Sequence, residues 1–274
     1  MSQDNHQAVL RFDRVTVTFG DVEALSGVSF EAFEGESRVI LGAAGSGKTV
    51  LLKTALGLVK PDSGEVYAFG ENLTAMSERQ LFDIRSKIGM LFQEGALFDS
   101  LTIQENVAYP LLNQRSIHCP PERVLPRVEE ALEFVELGGT LEKFPSELSG
   151  GMRRRAAIAR AVVTEPPLVL YDSPTAGLDP ITAHTIIALL IKERDVKQTT
   201  TLMVTQRYQD GNLIANFRYN SKQGRLEPAR NGAERVMPTT FMVLREGRLI
   251  FEGGQNELEE SKDPYISKFV KQRV

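Results

Sequence analysis

The sequence predicts an α/β fold built on a largely parallel sheet, and three observations carry that expectation. The runs SRVIL (37–41), PPLVLYD (166–172) and TTLMVT (200–205) are short, apolar and continuous rather than alternating. Strands covered on both faces read this way. Segments with helical spacing of apolar residues flank them, as crossover connections require. A Gly-rich turn, GAAGSGKT (42–49), leads directly from the first run into a helix pattern.

The other elements follow in order. VLRFDRVTVTFG alternates polar and apolar residues, as a half-exposed strand does. ALSGVSFEAFEG adds strand-like stretches that stop at Glu34-Gly35. GSGKTVLLKTALGLV has helical periodicity, and Pro61-Asp62-Ser63-Gly64 marks a turn. From about 75 to 165 the chain reads as mostly helical, broken at Pro120-Pro121 and Pro145. Within it, RVEEALEFVELGG is a helix with a Gly-Gly stop. The stretch 209–240 is polar and rich in Gly, Asn and Arg, which predicts an exposed surface insertion. FMVLREGRLIFEGG predicts a hairpin turning at Glu246-Gly247.

Composition bounds the function. The 274 residues, 42% hydrophobic and 25% charged, can bury a core without covalent staples. A net charge of −4 gives no global basic field, so no nucleic-acid partner is expected. The single cysteine, Cys119, forms no internal disulfide framework and fits a reducing compartment. The N-terminal MSQDNHQAVLRF lacks the pattern of a signal peptide. No apolar run approaches the ~18–20 residues that span a bilayer. His6, His118 and His184 are scattered without metal-ligand spacing.

GAAGSGKT fits the phosphate-binding P-loop in its required strand-to-helix context. Gly42, Gly45 and Gly47 let backbone N–H groups converge on phosphate oxygens, and the helix adds its dipole. Lys48 would reach the terminal phosphates, and the Thr49 hydroxyl would complete the shell of a magnesium ion. LSGGM (148–152) precedes the helix pattern MRRRAAIARAVV and again places small residues and Ser149 at a helix start. Arg153–Arg155 reads as a solvated or salt-bridged helix face. LVLYDSPTAGLDP (168–180) delivers Asp172 from a buried strand, with Ser173 beside it.

P-loop, LSGG and LVLYD, in that order, resemble the ATP-binding cassette (ABC) transporter ATPases over roughly residues 10–252. The resemblance implies a P-loop NTPase cassette with a RecA-like core, an antiparallel β subdomain and an α-helical signature subdomain at about 94–162. One ATPase domain would cover 8–253, followed by a C-terminal helical tail at 254–274. It implies ATP and Mg2+ as cofactors. The cradle would be Gly42, Ala43, Ala44, Gly45, Ser46, Gly47, Lys48, Thr49 and Val50, with Phe19 stacked on adenine. Thr49, Gln93 and Asp172 would hold the metal, and Gln93 would link the site to the transmembrane partner. The family dimerises head-to-tail, so Ser149, Gly150 and Gly151 would close on nucleotide held by a second cassette. Asp179 matches the acid that communicates across that dimer.

GMLFQEGALFDSLTIQENVAYPL (89–111), LSGGMRRRAAIARA, GLDPIT and DPYISKFV closely resemble the MlaF-type ATPases of MCE-linked lipid transport. That implies an MlaE-type permease partner, an MCE-domain protein indirectly, and a cytoplasmic place, peripheral on the inner face of the membrane. Leu97, Phe98 and Leu101 would offer the permease an apolar patch.

Two catalytic positions depart from the ABC pattern. Ser173 stands where the family has glutamate, and Gln206 where it has histidine. A serine cannot take a proton from water at neutral pH, and such a base contributes ~10²–10⁴-fold. ATP binding is therefore expected and efficient hydrolysis at this site is not. Three readings stand: an ATPase using another acid such as Asp179, a degenerate cassette completing its partner's site, or residues introduced to trap ATP; a non-transport ABC protein is the further alternative.

Overall fold

The computed structural model describes residues 8–229 and 237–271. The N-terminal segment with His6, and Arg230 and Arg235 of the expected insertion, lie outside the described residues. The chain runs β1 (Ala8–Phe19), β2 (Val22–Phe33), β3 (Ser37–Leu41), α1 (Lys48–Ala55), β4 (Ser63–Ala68), β5 (Glu71–Asn72), α2 (Glu78–Arg85) and β6 (Ile88–Leu91). Then come α3 (Ile103–Asn113), α4 (Pro121–Phe134), α5 (Gly150–Val162), β7 (Leu168–Asp172), α6 (Pro180–Lys197), β8 (Thr200–Thr205) and α7 (Tyr208–Asn216). The last described elements are β9 (Phe217–Asn220), β10 (Arg225–Pro228), β11 (Thr239–Arg245), β12 (Arg248–Gly253), α8 (Gln255–Glu259) and α9 (Pro264–Lys271).

Six strands form the central sheet in the order β12-β11-β3-β8-β7-β6. All neighbours are parallel except the β11–β12 hairpin at one edge. Every residue of β3, β7 and β8 is buried, the physical basis of their unbroken apolar runs. Alternate side chains enter different cores. Ile40, Leu170, Leu202 and Val204 face one core with α1 and the separate antiparallel sheet β2-β1-β4-β5. Val39, Leu41, Val169, Tyr171 and Met203 face the other core with α3 to α7.

The helix ends are written locally. Thr102 and Glu105 form a reciprocal capping box at the start of α3. Pro121 opens α4 as its first residue, where a missing N–H costs nothing. Asp179 caps α6, accepting from the N–H groups of Ile181 and Thr182 at 3.1 and 3.0 Å, with Pro180 as the first helical residue.

Three expectations are corrected. The region 75–165 is not simply helical, because β6 lies inside it and pairs with β7. IGML is only four residues long, so neither period nor length marks it as a strand; the place beside β7 does. Second, 209–240 is not an exposed excursion from its start. Residues Tyr208–Asn216 form α7, and Tyr208, Asp210, Gly211 and Ile214 are buried. A Cβ on Gly211 would lie 2.7 Å from the Phe241 ring and 2.8 Å from Val39, so glycine is what lets this polar helix press against the sheet. The β9–β10 hairpin follows, held by fully buried Arg194, which donates to Ile214 O at 2.6 Å and Phe217 O at 2.9 Å.

Third, the arginine triplet is a solvated or salt-bridged face only in part: Arg153 is exposed and Arg155 stands 3.6 Å from Glu136, but all three also reach backbone carbonyls. Arg153 donates to Leu148 O at 2.8 Å, and Arg155 to Val135 O at 3.2 Å. Arg154 is buried and donates to Phe92 O at 3.4 Å and Ala176 O at 3.3 Å. Guanidinium groups reach backbone carbonyls of neighbouring loops, a role that charge in a sequence does not reveal.

Candidate functional site

Parallel register gathers the motifs. Leu41 lies opposite Thr205, Asp172 opposite Val204, and Leu91 opposite Tyr171. The loops beginning at Gly42, Ser173, Gln206 and Phe92 therefore leave the sheet together, at the C-terminal ends of its strands. This is where open α/β sheets bind ligands.

At the end of β3 the phosphate loop turns into α1. Gly47, at φ 102°, is the N-cap, in a backbone region that disfavours side chains. Lys48 is buried, and its Nζ donates to Gly42 O at 2.8 Å, Ala43 O at 2.7 Å and Ser46 Oγ at 3.4 Å. Burial lowers its pKa from 10.5 to about 8, against the raising effect of the nearby Asp172 charge. Ala43, Ala44, Gly45 and Thr49 are exposed, Ser46 is buried, and Gly47 and Val50 are half-buried. The loop thus presents backbone to solvent around an ammonium group held in waiting.

At the end of β7, Asp172 is buried and Ser173 adopts φ 47°, unusual for a residue with a side chain. The Ser173 hydroxyl donates to Asp172 Oδ1 at 3.2 Å, and its N–H to Val204 O at 2.8 Å. The hydroxyl is buried against the acid, with neither negative charge nor basicity to offer water. Gln206 is exposed just beyond β8.

A carboxylate that sequence reading missed lies behind these two positions. Asp210, on α7, is buried, and its Oδ2 accepts from Thr175 Oγ1 at 2.7 Å and Thr205 Oγ1 at 2.8 Å. Arg207 Nε stands 3.7 Å from its other oxygen. Burial pushes its pKa up, while the two hydroxyls pull it down. It ties the loop after Asp172 to the end of β8. The only sequence signal was an acid four residues beyond Gln206 inside a polar stretch.

Gln93 is exposed on the loop after β6. That loop is fastened to α5 by Arg160, which donates to Gly95 O and Ala96 O at 2.7 Å each, and by Arg154 through Phe92 O. Of the expected apolar patch, Phe98 is exposed and packs on Tyr109 at 4.8 Å between ring centres. Both line a groove of about 260 Å³ with Phe92, Pro110 and Arg160. Leu97 packs instead onto the helical core, and Leu101 is half-buried outside that groove.

Ser149 caps α5, accepting from Met152 N–H at 3.2 Å, and Ser149 and Gly150 are exposed. A Cβ on Gly151 would come within 2.6 Å of Thr182 Cγ2, so glycine keeps this helix start close to α6. Phe19 ends β1 with 53% of its surface exposed, so it is not a core residue. It pairs with Val22, and β2 continues to Leu25, which abuts Gly47. Thr49, Gln93 and Asp172 offer only oxygen donors, a set suited to a hard cation such as magnesium. Magnesium held there would offset phosphate charge.

Comparison with known proteins gives a consistent result. Residues 25–176 match the family model described as ABC transporter. The chain is 31% identical over 266 residues to the intermembrane phospholipid transport system ATP-binding protein MlaF of Haemophilus influenzae, covering 97% of this chain and 91% of that protein. It is 32% identical over 259 residues to the probable ribonucleotide transport ATP-binding protein mkl of Mycobacterium leprae, covering 94% and 67%. Among solved structures, the dimeric ABC transporter cassette MJ0796 superposes with a TM-score of 0.74 at 31% identity, covering 89% of this chain and 98% of that one.

Proposed function

This chain belongs to the ABC transporter family of P-loop ATPases, and on that premise we propose that it energises an MlaE-type permease moving phospholipid or other hydrophobic cargo. It acts as the ATP-binding subunit, peripheral on the cytoplasmic face of the membrane, paired with a second cassette. The observation that carries the reading is the set of motif loops leaving one edge of the sheet, with Lys48 seated on its own loop carbonyls. Near full-length similarity to MlaF supports the cargo class.

At this site ATP and Mg2+ are held by Gly42 to Val50, Thr49, Gln93 and Asp172, with adenine on Phe19. Ser173 hydrogen-bonds to Asp172 and accepts no proton from water, and Gln206 brings no titratable group. Turnover at the chain's own site is accordingly slow. The exposed Ser149-Gly150 start of α5 remains intact to complete the phosphate shell of the second cassette. That combination favours a degenerate cassette working in an asymmetric pair over one using Asp179. Asp179 spends one carboxylate oxygen capping α6.

The groove lined by Phe98 and Tyr109 receives a permease helix. The test is purification of the tagged chain from its own membranes. Recovery of an MlaE-like permease, lost on Phe98→Asp, is the expected result. Recovery of a permease of another class transfers the cargo reading to one such as the ribonucleotide transport named for mkl.

A further inference from the structure

One side chain from the far end of the chain reaches the phosphate loop. The Ala43 N–H donates to the Tyr265 hydroxyl at 3.0 Å, across 222 residues of sequence. That hydroxyl in turn donates to Leu244 O, near the end of β11, at 3.3 Å. The Ala43 carbonyl is occupied as well, accepting from Lys48 Nζ at 2.7 Å and Ser46 N–H at 3.2 Å. The second residue of the loop is therefore held from both sides, by Lys48 within the loop and by Tyr265 outside it.

Tyr265 is itself anchored. Its N–H donates to Asp263 Oδ1 at 2.7 Å, its ring meets the edge of Phe269 at 5.3 Å, and the Arg245 guanidinium stands 5.2 Å over it. Ile266, the next residue, is buried in the main core. The hydroxyl thus sits on a docked helix, against a strand end that also crowds the loop. A Cβ on Gly42 would lie 2.6 Å from Leu244 O.

We propose that Tyr265 is a positioning residue for nucleotide binding, holding the Gly42–Ala43 peptide so that the phosphate loop is pre-shaped. The loop is rich in glycine and alanine, and Gly45 and Gly47 have φ of 76° and 102°. Few side chains restrain it, and such backbone readily adopts other forms. Lys48 must leave the Gly42 and Ala43 carbonyls to reach phosphate oxygens. Once it does, the Tyr265 hydroxyl is the tether that remains on the Ala43 N–H. Without it, part of the binding free energy goes to ordering the loop.

This inference rests on the nucleotide-site reading, and Tyr265→Phe tests it in the full chain, removing one oxygen and keeping the ring. ATP and ADP affinities are measured by calorimetric titration, beside melting without nucleotide and a Lys48→Ala control. Ordering the freed loop, at a cost comparable with the one net hydrogen bond that held it, predicts affinities about threefold to tenfold weaker for both nucleotides. Melting without nucleotide should change little, because the ring and its packing remain and exposed Ala43 can turn its N–H to water. Unaltered or tighter binding overturns the proposal. So does a weakening matched by a drop in nucleotide-free melting, since that marks a purely structural role. If the native chain binds neither nucleotide, or Lys48→Ala binds as well as native, the underlying site reading fails with it.

Discussion

On the proposed reading, the chain meets phosphate with backbone at the end of β3, whereas it meets the place of the attacking water with side chains at the ends of β7 and β8. The first region depends on glycine geometry, a helix start and one lysine, and all of these are in place. The second depends on what residues 173 and 206 can titrate, and both are neutral. Yet the second region is as well built as the first. Ser173 is fixed by hydrogen bonds to Asp172 and Val204, and Asp210 binds two threonine hydroxyls behind it. On that reading, the contrast teaches that a site can keep its architecture while its proton-transfer chemistry is missing. Shape and titration are separable properties of one strand edge.

The largest effect expected is a gain. Ser173→Glu combined with Gln206→His should raise steady-state ATP turnover by about 10²–10⁴-fold, the usual contribution of a positioned base. ATP affinity should stay close to native, since the phosphate loop is untouched. Turnover no faster in the double variant would show that the defect lies elsewhere.

Asp210→Ala addresses the scaffold of the same region. It strands the buried hydroxyls of Thr175 and Thr205, at a cost of about 2 kcal/mol or more. Urea unfolding should register that loss, and Asp210→Asn, which keeps an acceptor oxygen, should recover part of it. An Ala variant as stable as native would mean that the two hydroxyls find other partners.

The smallest effect belongs to the phosphate loop and concerns pH. Lys48 has a folded pKa of about 8, below its ordinary 10.5, because burial disfavours the ammonium form. Phosphate needs that charge, so ATP affinity should fall as pH rises through about 8, by up to about tenfold at one unit above. The sign for folding is opposite. The desolvation penalty is fully present below pH 8, and between 8 and 10.5 the unfolded chain binds more protons, so nucleotide-free stability gains from this group. Titrations at pH 7 and 9 check the first statement, and Lys48→Arg, which stays charged, should flatten the profile.

How legible the molecule was depended on how local each signal is. SRVIL, LVLYD and TTLMVT announced themselves because strands buried on both faces must be continuously apolar. The turn at Glu246-Gly247 showed because its geometry demands particular residues, with φ of 50° and 76°. The helix α7 was hidden because its buried positions are a tyrosine, an aspartate, a glycine and an isoleucine. Only the neighbours Thr175, Thr205 and Phe241 make that face a packing surface.

The sequence by itself determined the α/β class, the phosphate-loop motif, the family and the neutral residues Ser173 and Gln206. Each of these is written in contiguous residues whose backbone or side-chain chemistry is fixed before folding. Tertiary structure alone decided that Arg153–Arg155 satisfy loop carbonyls, that Asp210 links two loops of the site, and that Tyr265 reaches Ala43. Those roles are contacts between distant segments. Their partners are chosen by sheet register and helix docking, and no local pattern encodes where a hydroxyl or guanidinium will come to rest.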